Sequence, residues 1–112
     1  MTKEEYKTFI DERLQSIDGI RSKNMFGGVG YFMNDLMFGG IMHGAFRLKA
    51  DDLNRPDYEA KGMGPWIVPG KNMKMPYYEV PQEIIENDVQ LKDWVLKAVE
   101  AAERTKKVKK KK

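Results

Sequence analysis

One histidine, seventeen carboxylates and no cysteine set the range of chemistry open to this 112-residue chain. Without cysteine there is no thiolate nucleophile, no Cys-ligated zinc and no disulfide. His43 is the sole imidazole, so a metal site or a nucleophilic triad would have to draw on carboxylates alone. Its place before Gly44 assigns it to a solvent-exposed turn. Asp51, Asp52, Asp57 and Glu59 stand close enough in sequence to suggest paired carboxylates for acid–base work. Their position at the start of a short helix favours capping and a favourable dipole contact instead. No catalytic residue, metal ligand or cofactor is expected, and the chain does not read as an enzyme.

Glycines offer the next chemistry, phosphate binding. The stretch Met25-Phe26-Gly27-Gly28-Val29-Gly30-Tyr31 places three glycines among strand formers. A phosphate-cradling loop needs a Gly-Lys-Ser/Thr ending, and a dinucleotide fingerprint needs a helix to follow. Here Tyr31-Phe32-Met33 continues as strand, so no helix N-terminus is offered to an anion. The glycines read as a hairpin corner or bulge. A pocket roofed by this corner would be the basis of a weaker, small-molecule-binding reading. Gly39-Gly40, in a neighbouring strand, leave room for the first helix or Trp94 to lie close on the sheet.

Binding by contact is the remaining class. In Tyr77-Tyr78-Glu79-Val80-Pro81 adjacent residues point to opposite faces of a strand. One tyrosine is therefore buried and the other exposed or lying over a groove; Tyr78 with Trp66 and Phe32 forms the candidate interaction surface. The alternative is that both tyrosines close the core edge, each hydroxyl finding a backbone acceptor. The eight methionines suit an adaptable surface, but Met33, Met37, Met42, Met73 and Met75 are read as core filling on strands.

The elements that position these residues follow from periodicity. Thr2 and Glu5 have capping-box spacing, and Tyr6, Phe9, Ile10, Leu14 and Ile17 form one helical stripe, stopped at Asp18-Gly19. Strands are expected near Ser22–Phe26, Val29–Met33, Leu36–Met42 and Ala45–Lys49, the first two either divided at Gly27-Gly28 or forming one long bent strand, with tight turns at Asn34-Asp35 and His43-Gly44. In the last of these strands Phe46 and Leu48 face one way and Arg47 and Lys49 the other, which predicts a sheet with one covered and one wet face. A short helix capped near Asp51 or Asp52 runs to Ala60-Lys61 and is closed by Gly62, with Pro56 in its first turn. Trp66-Ile67-Val68 is a loop anchor or a very short strand. Met73 to Val80 is the final strand, placed at an edge or bulged at Pro76, and Pro81 opens a helical turn. Asn87 or Asp88 caps the last helix, with Leu91, Trp94, Val95, Ala98, Val99 and Ala102 as its stripe. The fold class is α+β: two layers, an antiparallel sheet of about five strands, in the order α-β-β-β(-β)-α-β(-β)-α.

Charge is divided along the chain. Arg104, Lys106, Lys107, Lys109, Lys110, Lys111 and Lys112 supply seven positive charges, leaving 13 bases against 17 acids in residues 1–103. The domain is therefore assigned to 1–103, at about −4, and 104–112 to a disordered lysine-rich tail. Those seven residues are the candidate nucleic-acid contacts, and non-specific binding through them is the alternative function. Their salt slope would be no steeper than about −6. No apolar run is long enough for a bilayer, and the polar N-terminus lacks a secretory signal. A cytoplasmic location without membrane association is expected, and an exposed sheet face or edge would permit a homodimer.

The glycine stretch, Leu48-Lys49-Ala50-Asp51, Met75-Pro76-Tyr77-Tyr78-Glu79-Val80-Pro81 and the Leu91–Trp94 helix together resemble the N-terminal domain of the TfoX/Sxy competence regulators. The likeness covers roughly residues 10 to 102. Its structural motif residues are Met25, Phe26, Gly27, Gly28, Gly30, Tyr31, Tyr77, Glu79 and Pro81. The resemblance implies a bacterial, secretion-chaperone-like α+β domain with no catalytic residues to carry over. It also implies a protein partner, by analogy with family members that regulate DNA uptake alongside a cyclic-AMP-receptor-type activator. The chain looks like a stand-alone member, a lysine tail standing where those regulators carry a second, C-terminal domain.

Overall fold

The computed structural model describes residues 2–25 and 27–110, the last three by backbone alone. The chain opens with α1 (Lys3–Leu14), whose start is fixed by the expected capping box. The Thr2 hydroxyl accepts from the Glu5 N–H at 3.1 Å, and Glu5 in turn accepts from the Thr2 N–H at 2.7 Å. The helix ends earlier than Asp18-Gly19, yet Ile17, in the turn beyond it, still enters the core.

Four strands follow as a meander of three hairpins: β1 (Ile20–Met25), β2 (Gly28–Met33), β3 (Leu36–Met42) and β4 (Ala45–Lys49). Asn34 and Asp35, then His43 and Gly44, all have positive φ. That is the backbone twist a two-residue hairpin requires. After β4 comes α2 (Arg55–Glu59), which starts after Asn54 rather than at Asp51 or Asp52 and has no side-chain cap bond, with Pro56 in its first turn. Then β5 (Pro65–Val68) pairs with β6 (Met73–Glu79), and α3 (Gln82–Ile85) and α4 (Asp88–Lys110) complete the chain. The Asn87 side chain accepts from the Gln90 N–H at 3.0 Å and caps α4.

The sheet has six strands in the order β1-β2-β3-β4-β6-β5, every pair antiparallel. Thus β6 is interior, not an edge. Pro76 is tolerated there because the β5–β6 register slips: Pro65 pairs with Tyr78 but Trp66 with Met75. The missing N–H falls in that irregularity, where the ladder does not need it.

All the helices lie on one face. Ile10 and Leu14 of α1, Ile84 and Ile85 of α3, and Leu91, Trp94, Val95, Ala98 and Val99 of α4 are buried in one cluster with Val29, Tyr31, Phe38, Phe46, Leu48 and Tyr78 from the sheet. Tyr58 of α2 packs into it, edge-on to Trp94 at 4.6 Å and tilted against Tyr78 at 5.5 Å. Polar bonds tie the layers together. The Tyr31 hydroxyl donates to Asp11 at 2.7 Å, and Arg13 donates to the Ile85 carbonyl at 2.8 Å and pairs with Asp88.

The helix α4 does not stop where the positive charges begin. It runs through Lys110, with Arg104 and Thr105 half-buried, so the expected boundary at 103/104 falls inside it. At that boundary the helix is anchored: the Arg104 guanidinium makes two bonds to the Asp51 carboxylate, at 2.5 and 3.0 Å.

Candidate interaction surface

Paired residues in an antiparallel ladder share a face. Leu48, Phe46 and Ile41 share the helix-covered face. The opposite face therefore carries Arg21, Lys23 and Met25 from β1, Gly30 and Phe32 from β2, Met37, Gly40 and Met42 from β3, and Arg47 and Lys49 from β4. Tyr77 and Glu79 of β6 continue it, opposite Lys49 and Arg47, and Trp66 of β5 closes it. Among the described residues, no helix crosses this face.

Its centre is built on absent side chains. A Cβ on Gly40 would stand 2.3 Å from the Val29 carbonyl oxygen, and one on Gly28 2.3 Å from that of Ile41. The backbones of β2 and β3 approach too closely there for any other residue. Above Gly30, the position of a Cβ is taken by the Met25 sulfur at 2.6 Å, with Phe32 at 3.1 Å and Met37 at 3.5 Å. Gly40 likewise lies under the Met42 methyl. Glycines thus make a floor on which a Met-Phe-Met-Met cluster lies, half-buried and open to solvent.

Cations flank the cluster on both sides. Arg21 and Lys23 on β1 are exposed, Arg21 reaching Asp35 at 3.7 Å. On the other side Arg47 donates to the Met42 carbonyl at 3.2 Å and stands 5.9 Å from the Trp66 ring. Burial pulls the Arg47 guanidinium below its usual range, with Glu79 acting to restore it. Lys49 lies over the Tyr77 ring at 5.5 Å. The indole N–H of Trp66 is buried and finds no hydrogen-bond partner among the described residues.

The residues singled out from sequence divide as follows. Gly27, at φ +75°, turns the β1–β2 hairpin, as expected of a corner. Gly28 and Gly30 serve close approach, of a backbone in one case and of side chains in the other. Gly39 gives way first to the Arg47 carbonyl of β4, 2.5 Å from where a Cβ would stand. Met25 belongs to the open face, Tyr31 to the core, and Phe26 lies outside the described residues. Tyr78 is 7% exposed on the helix side, which corrects its assignment to the interaction surface. The open face has Tyr77 instead, itself only 9% exposed beneath Lys49. Phe32 and Trp66 share that face but stand at opposite ends, with β3, β4 and β6 between them, so they form no single aromatic patch. Met37, Met42 and Met75 also face outward, not into the core. Pro81 precedes α3 and is buried, while Glu79 is exposed opposite Arg47.

Of the tail cations, Arg104 is engaged by Asp51, and Lys106 and Lys107 are exposed on α4. Lys109 and Lys110 are placed by backbone only, and Lys111 and Lys112 lie outside the described residues. Asp52 and Glu59 pair with Arg55, and Asp57 with Lys97. His43 is exposed. Among the described residues no group of three or more carboxylates and imidazoles is placed to hold a metal, and no helix is long and apolar enough to cross a membrane. A cleft of about 400 Å³ lies between α1 and the first hairpin beside Asp11, Gln15, Gly19, Ser22 and Tyr31. It is not roofed by the Gly27–Gly30 corner. Burial, with the Asp11 bond, pushes the Tyr31 phenol far above its usual range, so it remains a neutral donor there.

No curated protein matches the chain. The profile described as TfoX N-terminal domain does, over residues 12–102, a span that opens within α1 and closes within α4 and so takes in the whole sheet. The chain belongs to the TfoX N-terminal domain family.

Proposed function

We propose that this domain is a non-enzymatic, cytoplasmic regulatory module that binds a protein partner through the open face of its sheet. The observation that carries the reading is the one-sided placement of the helices. It leaves Met25, Phe32, Met37 and Met42 half-buried and unopposed. Contiguous exposed apolar surface of this kind marks contact sites, and methionine lets such a surface remodel to its partner. Family membership supports a regulatory setting, in competence and transcription, with a cyclic-AMP-receptor-type activator as the candidate partner.

The alternative, non-specific nucleic-acid affinity, rests on the lysines after Arg104. A pull-down from the source cell separates the two. The full chain is compared with a variant in which Lys106, Lys107 and Lys109 to Lys112 are glutamine, leaving Arg104 on Asp51. The account expects both baits to retain the same protein and only the native one to retain nucleic acid. Capture of nucleic acid alone by the native chain would favour the alternative.

A further inference from the structure

The net charge of the domain conceals a separation between its layers. The stretches 20–49 and 65–79, which are the strands and their hairpins, hold six bases (Arg21, Lys23, Arg47, Lys49, Lys71 and Lys74) against two acids, Asp35 and Glu79. The rest of residues 1–103 holds seven bases against fifteen acids. The sheet is thus at +4 and the helical side at −8. Two copies meeting open face to open face would juxtapose like charges, which costs association.

The arrangement on the face is more specific than its sign. Arg21 and Lys23 border the methionine cluster on one side and Arg47 and Lys49 on the other. An occupant that satisfies both parts has an apolar centre and carboxylates flanking it. Single-stranded nucleic acid would supply anions but would also need aromatic planes at successive base positions. Here Tyr77 lies under Lys49, Trp66 stands beside Arg47, and Phe32 is about 19 Å from Trp66 across four strand spacings. An apolar floor of Met and Phe suits leucine or phenylalanine side chains better.

We infer that the open sheet face takes an acidic amphipathic protein segment, its apolar side seated on Met25, Phe32, Met37 and Met42 and its carboxylates on the bordering cations. This rests on the protein-binding reading above and specifies the partner's chemistry. Charge of opposite sign across the contact steers encounter and sets register.

The test uses the full chain with labelled methionine methyls. It is titrated with a short amphipathic peptide of Leu, Phe and Glu, with the same peptide carrying Lys for every Glu, and with oligothymidylate. The methyls of Met25, Met37 and Met42 should move with the acidic peptide, while Met33 and Met63, packed against the core, stay still. The exposed pair Arg21→Glu/Lys23→Glu should fold normally and bind roughly tenfold more weakly, as should Arg47→Glu if it folds. Equal or tighter binding of the basic peptide at these methyls overturns the inference but leaves a protein-binding face standing. Preference for oligothymidylate overturns both. Absence of any methyl shift with the acidic peptide overturns the inference.

Discussion

Arg104 closes a bidentate ion pair with Asp51, 53 residues away, at 2.5 and 3.0 Å. It joins the last helix to the loop that follows β4. Asp51 is already held by its own turn, accepting from the Leu53 N–H at 3.1 Å. The start of the lysine-rich segment is thereby built into the fold.

The pair predicts a pH dependence. The Arg104 bond, chiefly, holds the Asp51 carboxyl below its ordinary value. A depressed folded-state pKa adds stability that is present above the unfolded value, near 3.9, and is lost as pH falls through the folded one. Asp51→Asn should therefore lower the Tm at pH 6 by the equivalent of about 0.5–1 kcal/mol, the pair being partly exposed. Thermal melts of the two proteins should converge as pH falls below the ordinary carboxylate range and through the depressed folded-state value. A constant gap down to pH 2 would mean that the ion pair is not the cause.

The glycines predict a ranking. Gly40→Ala puts a methyl 2.3 Å from a backbone oxygen that cannot move without breaking the sheet. It should cost roughly 3 kcal/mol or more. Gly27→Ala meets no atom within 4 Å and has only its φ of +75° to accommodate, a cost of about 1 kcal/mol. Urea denaturation of both variants checks the order. Equal losses would show that close strand approach is not what the motif provides.

The Tyr58 hydroxyl is buried without a hydrogen-bond partner among the described residues, and burial raises its pKa above the ordinary range. Tyr58→Phe removes an unsatisfied group and keeps the ring against Trp94 and Tyr78. It should be neutral or stabilising by up to about 1 kcal/mol. A loss of that size on chemical denaturation would reveal a hydrogen bond this account lacks.

The first turn of α1 depends on Thr2, through the two reciprocal bonds with Glu5. Thr2→Ala should cost about 1 kcal/mol, and amide exchange should show the loss first at Glu5. Unchanged protection at that amide would mean that the box does not hold the helix start.

What the sequence discloses here is what is local. Thr2 with Glu5, Asn34-Asp35, His43-Gly44 and the Leu91 to Ala102 stripe each carry their own geometry, so helices and hairpins are legible. The outward methionines are not, because β3 bulges. Tyr31 pairs with Gly39 but Phe32 with Met37, leaving Phe38 as an extra residue. Phe38 and Gly39 then both face the core, and simple alternation fails across them. The interior position of β6 and the Arg104–Asp51 anchor are pairings between distant residues, on which local spacing is silent. The alternation of Arg47 and Lys49 with Phe46 and Leu48 is the one local sign of a wet face. Its extension to Lys23, Met37 and Met42 needed the register.

Photo-crosslinking in the source cell tests the open face most directly. A crosslinking residue is placed at Met37, on the uncovered face, or at Val89, which is 80% exposed on the helical side, in the otherwise native chain. The account predicts that the Met37 position forms a discrete protein adduct, suppressed by Arg21→Glu/Lys23→Glu, and that the Val89 position does not. An adduct at Val89 with none at Met37 would contradict it.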